Sequence, residues 1–178
     1  MKGMVFTEFI EFVEDNFGFE ITQKMIDNSK SKGIYTGVGS YPSSELVSMV
    51  LQLSDLTKTD VPVLLVAYGK HLFHRFSLLY PHFFHQGVGF FDFISKIDDY
   101  IHVEVQKLYP DAELPSIEII EKGEDFIEFV YTSKRRLGDF AHGLLLGAAD
   151  YFESDVDIEK ELLIEDGSKV KFILKLKK

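Results

Sequence analysis

The chain has 178 residues, 46% of them hydrophobic, and this length and composition are typical of one domain with a sizeable core. Its formal net charge of −10 argues against nucleic acid and anionic membrane surfaces as partners. It contains no cysteine, which excludes disulfides and thiolate metal sites, while seventeen Phe and eight Tyr favour a roomy apolar interior.

Targeting and membrane segments are not expected. Glu8, Glu11 and Glu14 interrupt the N-terminal apolar pattern, which is unlike a signal peptide. The sequence has no run of about 18 apolar residues, so a transmembrane helix is not predicted. Since the lack of cysteine is compatible with a reducing compartment, we expect a soluble cytoplasmic protein.

The first two thirds of the chain shows the spacing of helices. Apolar residues recur with a helical period in residues 4–17, with acidic residues on the other face. Further helices are predicted over residues 21–29, 42–56, 62–80 and 90–108. The Gly-rich stretch 32–42 predicts a loop. Its Gly37-Val38-Gly39 resembles a phosphate loop only weakly, because no strand clearly precedes it and Pro42 takes the third glycine's place.

After Pro115 the period changes to that of strands. Strands are predicted over residues 117–121 and 126–131, and over the hairpin 156–164 and 169–176. Residues 137–152 are predicted to be helical, with Gly143 and Gly147 four positions apart. Helices followed by antiparallel strands predict the α+β fold class.

The stretch FVYTSKRRLGDF, residues 129–140, begins as an apolar strand and then places Tyr131, Ser133 and Arg135 at every second position. Because alternate side chains of an extended chain share a face, these three groups are expected to converge. All three donate hydrogen bonds and one carries a fixed positive charge. The pattern therefore indicates a site for a carboxylate or phosphate, although a strand that runs into a polar turn gives the same pattern.

Histidine pairs with a three-residue gap occur twice, at His71 and His74 and at His82 and His85. On a helix such a pair could bind one metal ion, but no third ligand is suggested nearby, so a solvated surface is the favoured interpretation. His142, between Ala141 and Gly143 in an apolar helix, is more typical of a core or edge histidine than of a ligand.

His102 differs from these because it borders an apolar stripe on the helix predicted over residues 90–108. The stripe consists of Ile94, Ile97, Ile101, Val105 and Leu108. At ~100° per residue His102 lies about 60° from Val105, so its imidazole is expected beside an apolar wall. That position suits a core histidine and equally the axial ligand of a heme.

The combination of features strengthens the heme interpretation, although the Y-x-S-x-R pattern alone is a weak signal. A heme needs an axial base, a wide apolar slot and cationic or hydroxyl partners for its two propionates. The planar guanidinium of Arg135 makes paired hydrogen bonds with carboxylates, and Tyr131 and Ser133 add hydroxyl donors.

At this point the sequence resembles the heme–nitric oxide/oxygen binding (H-NOX, also HNOB) family, which includes the heme domain of soluble guanylate cyclase. The resemblance spans the whole chain, 1–178, as one domain. It rests on MKGMVF, YTGVGSYPSSEL, IDDYIHVEVQKLYP around His102, Leu114-Pro115, YTSKR and LLLGAADYF. The joint spacing of His102, Pro115 and the Y-x-S-x-R motif is the specific part.

The resemblance implies a heme b held between a helical N-terminal part and a four-stranded antiparallel sheet with its helix. His102 would ligate the iron. Tyr131, Ser133 and Arg135 would bind the propionates, and Pro115 would press on the porphyrin and distort it.

The resemblance also assigns the opposite, distal heme face. Its wall would consist of Val5, Phe9, Leu72, Phe76, Phe140 and Leu144. Family members that bind oxygen stably carry a tyrosine at the position of Phe140. Because bound O₂ needs a hydrogen-bond donor and bound NO needs much less help, this apolar wall predicts a nitric oxide sensor, which would also bind CO. Two positions along the helix, His142 is expected to point away.

The family mechanism implies that NO binding weakens the iron–His102 bond, releases the helix that carries His102 and shifts the two halves of the domain. The chain shows no effector domain, so we expect a stand-alone sensor, or a fragment, that signals to a separate histidine kinase or cyclic-di-GMP enzyme. The alternatives are an oxygen or redox heme sensor, a heme enzyme, and a non-heme ligand-binding or scaffold domain. Without a distal acid–base group or cysteine, no enzyme activity is expected.

Overall fold

The computed structural model of the chain describes residues 1–84 and 87–177. The helices are α1 Met4–Phe17, α2 Phe19–Asn28, α3 Ser43–Thr57, α4 Val61–Leu79, α5 Phe90–Ser95, α6 Val103–Leu108 and α7 Gly138–Tyr151. The strands are β1 Ser116–Lys122, β2 Phe126–Thr132, β3 Val156–Leu162 and β4 Lys169–Leu176. A 3₁₀ turn, Pro81–Phe83, follows α4, and a π-helical turn, Ile97–His102, lies between α5 and α6. The α+β class is confirmed, and most predicted boundaries agree to within about two residues.

The prediction of one uninterrupted helix over residues 90–108 is wrong. The Lys96 carbonyl accepts hydrogen bonds from Tyr100 N at 3.0 Å and from Ile101 N at 3.2 Å, and the second bond has the five-residue spacing of a π-helix. A π-helical turn holds more residues than an α-helical turn. The rotation of about 100° per residue on which the sequence prediction relied therefore does not apply within it. Leu108, the last residue of the predicted apolar stripe, is exposed at the end of α6.

The four strands form one antiparallel sheet in the order β1-β2-β4-β3. The predicted alternation in β4 is confirmed, since Val170, Phe172 and Leu174 are fully buried. Leu176, expected on the same face, is partly exposed at the end of the strand. The buried face of the sheet packs against α7, which lies between β2 and β3 in the sequence.

Helices α4 and α7 pack against each other at unusually short range. A Cβ atom at Gly69, Gly143 or Gly147 would overlap atoms of the facing helix. Glycine is therefore required at this crossing because it lets two backbones approach closely. The contact fixes α7 against α4 and brings the backbone of Phe140 and Leu144 next to Gly69.

The core has two parts. The helical cluster is formed by α1–α4 and includes Phe6, Phe9, Leu46, Met49 and Tyr68. The sheet cluster is formed by β2, β4, α5 and α7 and includes Phe93, Ile127, Phe129, Leu145 and Phe172. Among helices of the described part of the chain, none combines the length and hydropathy that a bilayer-spanning helix requires.

Candidate functional site

A cavity of about 320 Å³ lies between the helical cluster and the sheet cluster. Its walls are largely apolar and come from α1, α4, α5, α7 and the sheet. Ten of the predicted site residues line it: Val5, Leu72, Phe76, His102, Pro115, Tyr131, Ser133, Arg135, Phe140 and Leu144. One space therefore brings together groups that lie more than a hundred residues apart in the sequence.

Phe9 is the predicted distal residue that does not line the cavity. It is fully buried in the helical cluster, where its ring centroid lies 4.9 Å from that of Tyr68. Val5, one helical turn earlier, does reach the cavity, and its carbonyl accepts a hydrogen bond from the Tyr68 hydroxyl. Phe9 consequently packs behind the wall rather than forming it.

His102 lies at the end of the π-helical turn with its imidazole against the cavity. Its side chain is 16% exposed, and Nδ1 lies 2.8 Å from Asp98 Oδ1. Because an ionised carboxylate only accepts hydrogen bonds, neutral His102 carries its proton on Nδ1 and its lone pair on Nε2. An imidazole in that form has the free lone pair with which histidine binds a metal ion. Asp98 was not among the predicted site residues, although an acid four positions before the histidine is readable from the sequence.

Tyr131, Ser133 and Arg135 converge on the cavity, but not through the extended chain that the sequence predicts. Strand β2 ends at Thr132, and the chain then turns. The Ser133 Oγ accepts a hydrogen bond from Arg135 N at 3.2 Å, and the Ser133 carbonyl accepts one from Arg136 N at 3.2 Å. This turn, rather than strand alternation, directs the guanidinium to the cavity.

The three side chains form a polar, partly desolvated end of the cavity. Tyr131 and Ser133 are buried, and the Arg135 side chain is 15% exposed. Burial raises the pKa of Tyr131, while a side-chain hydrogen bond with Ser133 and the charge of Arg135 act in the opposite direction. A guanidinium nitrogen of Arg135 lies 3.6 Å from the carboxylate of the well-exposed Glu113. The arrangement offers hydroxyl and guanidinium donors to an anionic group.

The wall contributed by α1, α4 and α7 is apolar at the predicted positions. Phe140 stacks on Tyr68 with centroids 5.4 Å apart, and the Tyr68 hydroxyl donates to Val5. Tyr80 also lines the cavity, which the sequence did not predict. Its hydroxyl donates to Met4 Sδ at 3.3 Å, and burial, followed by the nearby Tyr109, raises its pKa.

Of the pair His71 and His74, only His71 departs from the predicted solvated surface. The Nε2 atom of His71 is buried without a hydrogen-bond partner in the described part of the chain, and its ring lies 5.3 Å from that of Phe12. Burial accordingly lowers the pKa of His71. The prediction is wrong for His71 because the ring packs on α1, whereas His74 is partly exposed, with Nε2 3.7 Å from Asp150 Oδ2.

His82 and His142 are not among the residues that line the cavity. The ring centroid of His142 lies 6.3 Å from that of Phe172 in β4. Burial lowers the pKa of His142. His82 is exposed, with its ring 4.3 Å from that of Phe83, and its predicted partner His85 lies outside the described residues.

Comparisons with known proteins identify the family of the chain. The family model described as haem-NO-binding (HNOB) matches residues 2–160. The structure is similar to the Fe(II) unliganded H-NOX protein of K. algicida, with a TM-score of 0.95 and 37% identity over 100% of this chain and 97% of that chain. The H-NOX of Shewanella woodyi, bound to IWP-051 in the Fe(II)CO state, has 40% identity and a TM-score of 0.84, with 99% and 95% covered.

The H-NOX protein of S. oneidensis in the Fe(II)NO state has 28% identity and a TM-score of 0.91, with both chains fully covered. No curated protein matches the sequence. The fold and the family match define a class of heme-based gas-sensor domains, which bind ligands rather than catalyse reactions. The chain belongs to the haem-NO-binding (H-NOX) family.

The residues of the cavity fit a heme. The His102 imidazole is held with its lone pair on Nε2, the walls are largely apolar, and three hydrogen-bond donors, Tyr131, Ser133 and Arg135, lie at one polar end, as two carboxylates would require. Without cysteine in the chain, no thiolate ligand competes with His102.

Proposed function

We propose that this chain is a single cytoplasmic sensor domain that binds heme b through His102 and responds to nitric oxide, with CO as a further ligand. The observation that supports it is the composition of the cavity. One imidazole and one cluster of donors are set in walls that are otherwise largely apolar. When bound, the heme would be held by His102 and would supply a ferrous iron as the binding site for NO.

Different residues of the chain would bind the propionates, distort the porphyrin and exclude water. Arg135 would pair with a propionate through its planar guanidinium. Tyr131 and Ser133 would donate hydrogen bonds to the same end of the heme. Pro115, which lines the cavity just before β1, would press on the porphyrin and distort it. Phe140 and Leu144 would exclude water from the opposite face and withhold a hydrogen-bond donor there. These apolar side chains favour NO over O₂ as the ligand.

The response would travel through the helical segment that carries His102. Release of His102 would remove the tie between this segment and the heme, and the helical cluster would then shift against the sheet cluster. Such a change is a shift between two populated states driven by the ligand. The partner that reads it would be a separate protein, a histidine kinase or a cyclic-di-GMP enzyme, as the family resemblance implies.

Replacement of His102 by Gly tests the assignment of the ligand. We expect the H102G variant to lose heme during purification and to retain it when imidazole is supplied, because imidazole then occupies the emptied place. Heme content, measured from the absorption of the pyridine adduct, reports this directly. A variant that keeps full heme without imidazole would contradict the assignment.

A second candidate, an oxygen sensor, is favoured by one observation. Tyr80 lines the cavity, and its hydroxyl donates to the thioether of Met4, a weak acceptor. If Tyr80 served as a donor to bound oxygen, the ferrous protein would form a lasting oxygen complex in air, and Tyr80→Phe would abolish it.

A further inference from the structure

We propose that Asp98 is a positioning residue for His102, which sets the tautomer of the imidazole and the strength of Nε2 as a ligand. The inference rests on the proposed function, because it concerns the imidazole that would bind the iron. Asp98 Oδ1 lies 2.8 Å from His102 Nδ1. The His102 side chain is 16% exposed and that of Asp98 is 38% exposed, so this hydrogen bond lies at the boundary of the cavity wall and solvent.

The first consequence is a fixed tautomer. A free neutral histidine side chain favours the proton on Nε2, which is the wrong form for a ligand that must bind through Nε2. An ionised carboxylate cannot donate, so its contact with Nδ1 selects the form with the proton on Nδ1. Asp98 therefore keeps the lone pair of His102 on Nε2, even when no metal is present.

The second consequence is orientation of the ring. Asp98 and His102 are four residues apart and belong to the same π-helical turn, Ile97–His102. The turn is held by the Lys96 carbonyl, which accepts from Tyr100 N and Ile101 N. The carboxylate and the imidazole thus share one local element, and the hydrogen bond between them does not depend on a distant part of the fold.

The third consequence concerns the ligand bond itself. A carboxylate on the far nitrogen of a ligating imidazole raises the electron density of the ring and makes the other nitrogen a stronger donor. Asp98 would accordingly strengthen the bond at Nε2 and oppose the release of His102. How readily NO frees His102 would then be set partly by this one side chain.

The matched variants are Asp98→Asn, Asp98→Ala and Asp99→Asn. Asn keeps a neutral acceptor at position 98, whereas Ala removes it. Asp99 is the adjacent, exposed carboxylate, and its replacement removes the same charge without touching the contact to His102. A two-dimensional ¹H–¹⁵N amide spectrum of each variant checks that the fold is retained.

The decisive measurement is made on the heme-free protein. Long-range ¹H–¹⁵N NMR correlations of the imidazole ring, recorded at a pH where His102 is neutral, distinguish the two tautomers. We expect the proton on Nδ1 in the original chain and in D99N, a reduced share of this form in D98N, and mainly the Nε2 proton in D98A. A D98A protein with the proton still on Nδ1 would overturn the inference.

The heme-loaded protein gives an independent readout. In D98A the iron–histidine stretching frequency in the resonance Raman spectrum should fall, and heme transfer to apomyoglobin should become roughly 10-fold faster, within the range for such outer partners of metal ligands. An unchanged frequency and rate in D98A, with heme bound through His102, would overturn the inference and leave the proposed function intact. If the tautomer shifts as expected but the original chain takes up no heme, the positioning by Asp98 holds and the proposed function fails.

Discussion

Lys2 Nζ lies 2.7 Å from Asp111 Oδ1 and so joins the start of the chain to the loop that follows α6. The same ammonium group donates to Ser40 Oγ at 2.9 Å and lies 4.8 Å from the centroid of the Tyr109 ring. All four residues line the cavity. The cluster therefore connects the N-terminal helical part to the segment that follows α6.

This cluster makes a prediction about the titration of Asp111. Hydrogen bonds from Lys2 and then Ser40 lower the pKa of Asp111 from its ordinary value of 3.8 to about 2. Because the folded pKa is the lower one, the ionised carboxylate stabilises the fold above about pH 4, and this contribution is lost between about pH 4 and pH 2. In Lys2→Met the pKa of Asp111 should rise toward 3.8, as followed by carboxyl ¹³C NMR.

The control for this change is Lys24→Met, which removes a lysine from the exposed Lys24–Glu20 pair on α2. It should leave the titration of Asp111 unchanged. The prediction is contradicted if the Asp111 carboxyl titrates at the same pH in Lys2→Met as in the original chain. Lys2 would then not lower the pKa of Asp111.

The Phe140→Tyr substitution should raise the affinity of the protein for O₂. The new hydroxyl would enter the apolar wall beside Leu144 and supply the donor that bound O₂ needs. A hydrogen bond to a charged acceptor contributes about 1.5–3 kcal/mol, which is about a 10- to 100-fold gain in O₂ affinity. Oxygen titration of the ferrous protein, followed by absorption, measures this gain. Phe140→Leu, which adds no donor, is the control, and an equal gain in both variants would contradict the account.

Arg135→Ala should weaken heme binding. The variant loses the guanidinium that faces the cavity, and a charge-assisted hydrogen bond of about 1.5–3 kcal/mol corresponds to about 10- to 100-fold in affinity. Heme transfer to apomyoglobin gives the rate of loss. Lys134→Ala removes a neighbouring cation whose side chain is exposed and does not line the cavity, so its rate should stay the same. Equal rates in the two variants would exclude a propionate role for Arg135.

Gly143→Ala should destabilise the fold despite the higher helix propensity of alanine. Propensity alone favours Ala by about 1 kcal/mol, but its Cβ would overlap the Val66 carbonyl and the Gly69 backbone. Overpacking of this kind costs about 1–3 kcal/mol in the free energy of unfolding, which urea denaturation of the heme-free protein measures. Gly89→Ala meets no atom within 4 Å and is the control. A Gly143→Ala variant as stable as Gly89→Ala would mean that α4 and α7 can separate at little cost.

The sequence predicts the helices and strands well where one face is buried. In β4 the alternation of Val170, Phe172 and Leu174 with lysines sets the buried face before any partner strand is known. Gly143 and Gly147 are visible as a four-residue repeat, but their facing helix is not. The repeat becomes meaningful only when the structure places Gly69 of α4 against it.

The parts that the sequence does not predict depend on single hydrogen bonds or on distant contacts. The π-helical turn arises because the Lys96 carbonyl is shared between Tyr100 N and Ile101 N, and no apolar period marks such a shift. Arg135 reaches the cavity through a turn anchored on Ser133 rather than through strand alternation. The contact of Lys2 with Asp111 joins residues with no local relation in the sequence.

The most direct test of the central claim is an absorption spectrum of the purified, dithionite-reduced protein under argon, then in air, then with NO. The account predicts a five-coordinate ferrous heme whose spectrum does not respond at once to air and shifts on addition of NO. A stable oxygen complex in air would contradict the NO preference and make Tyr80 the first donor to replace. A protein that takes up no heme would contradict the account as a whole.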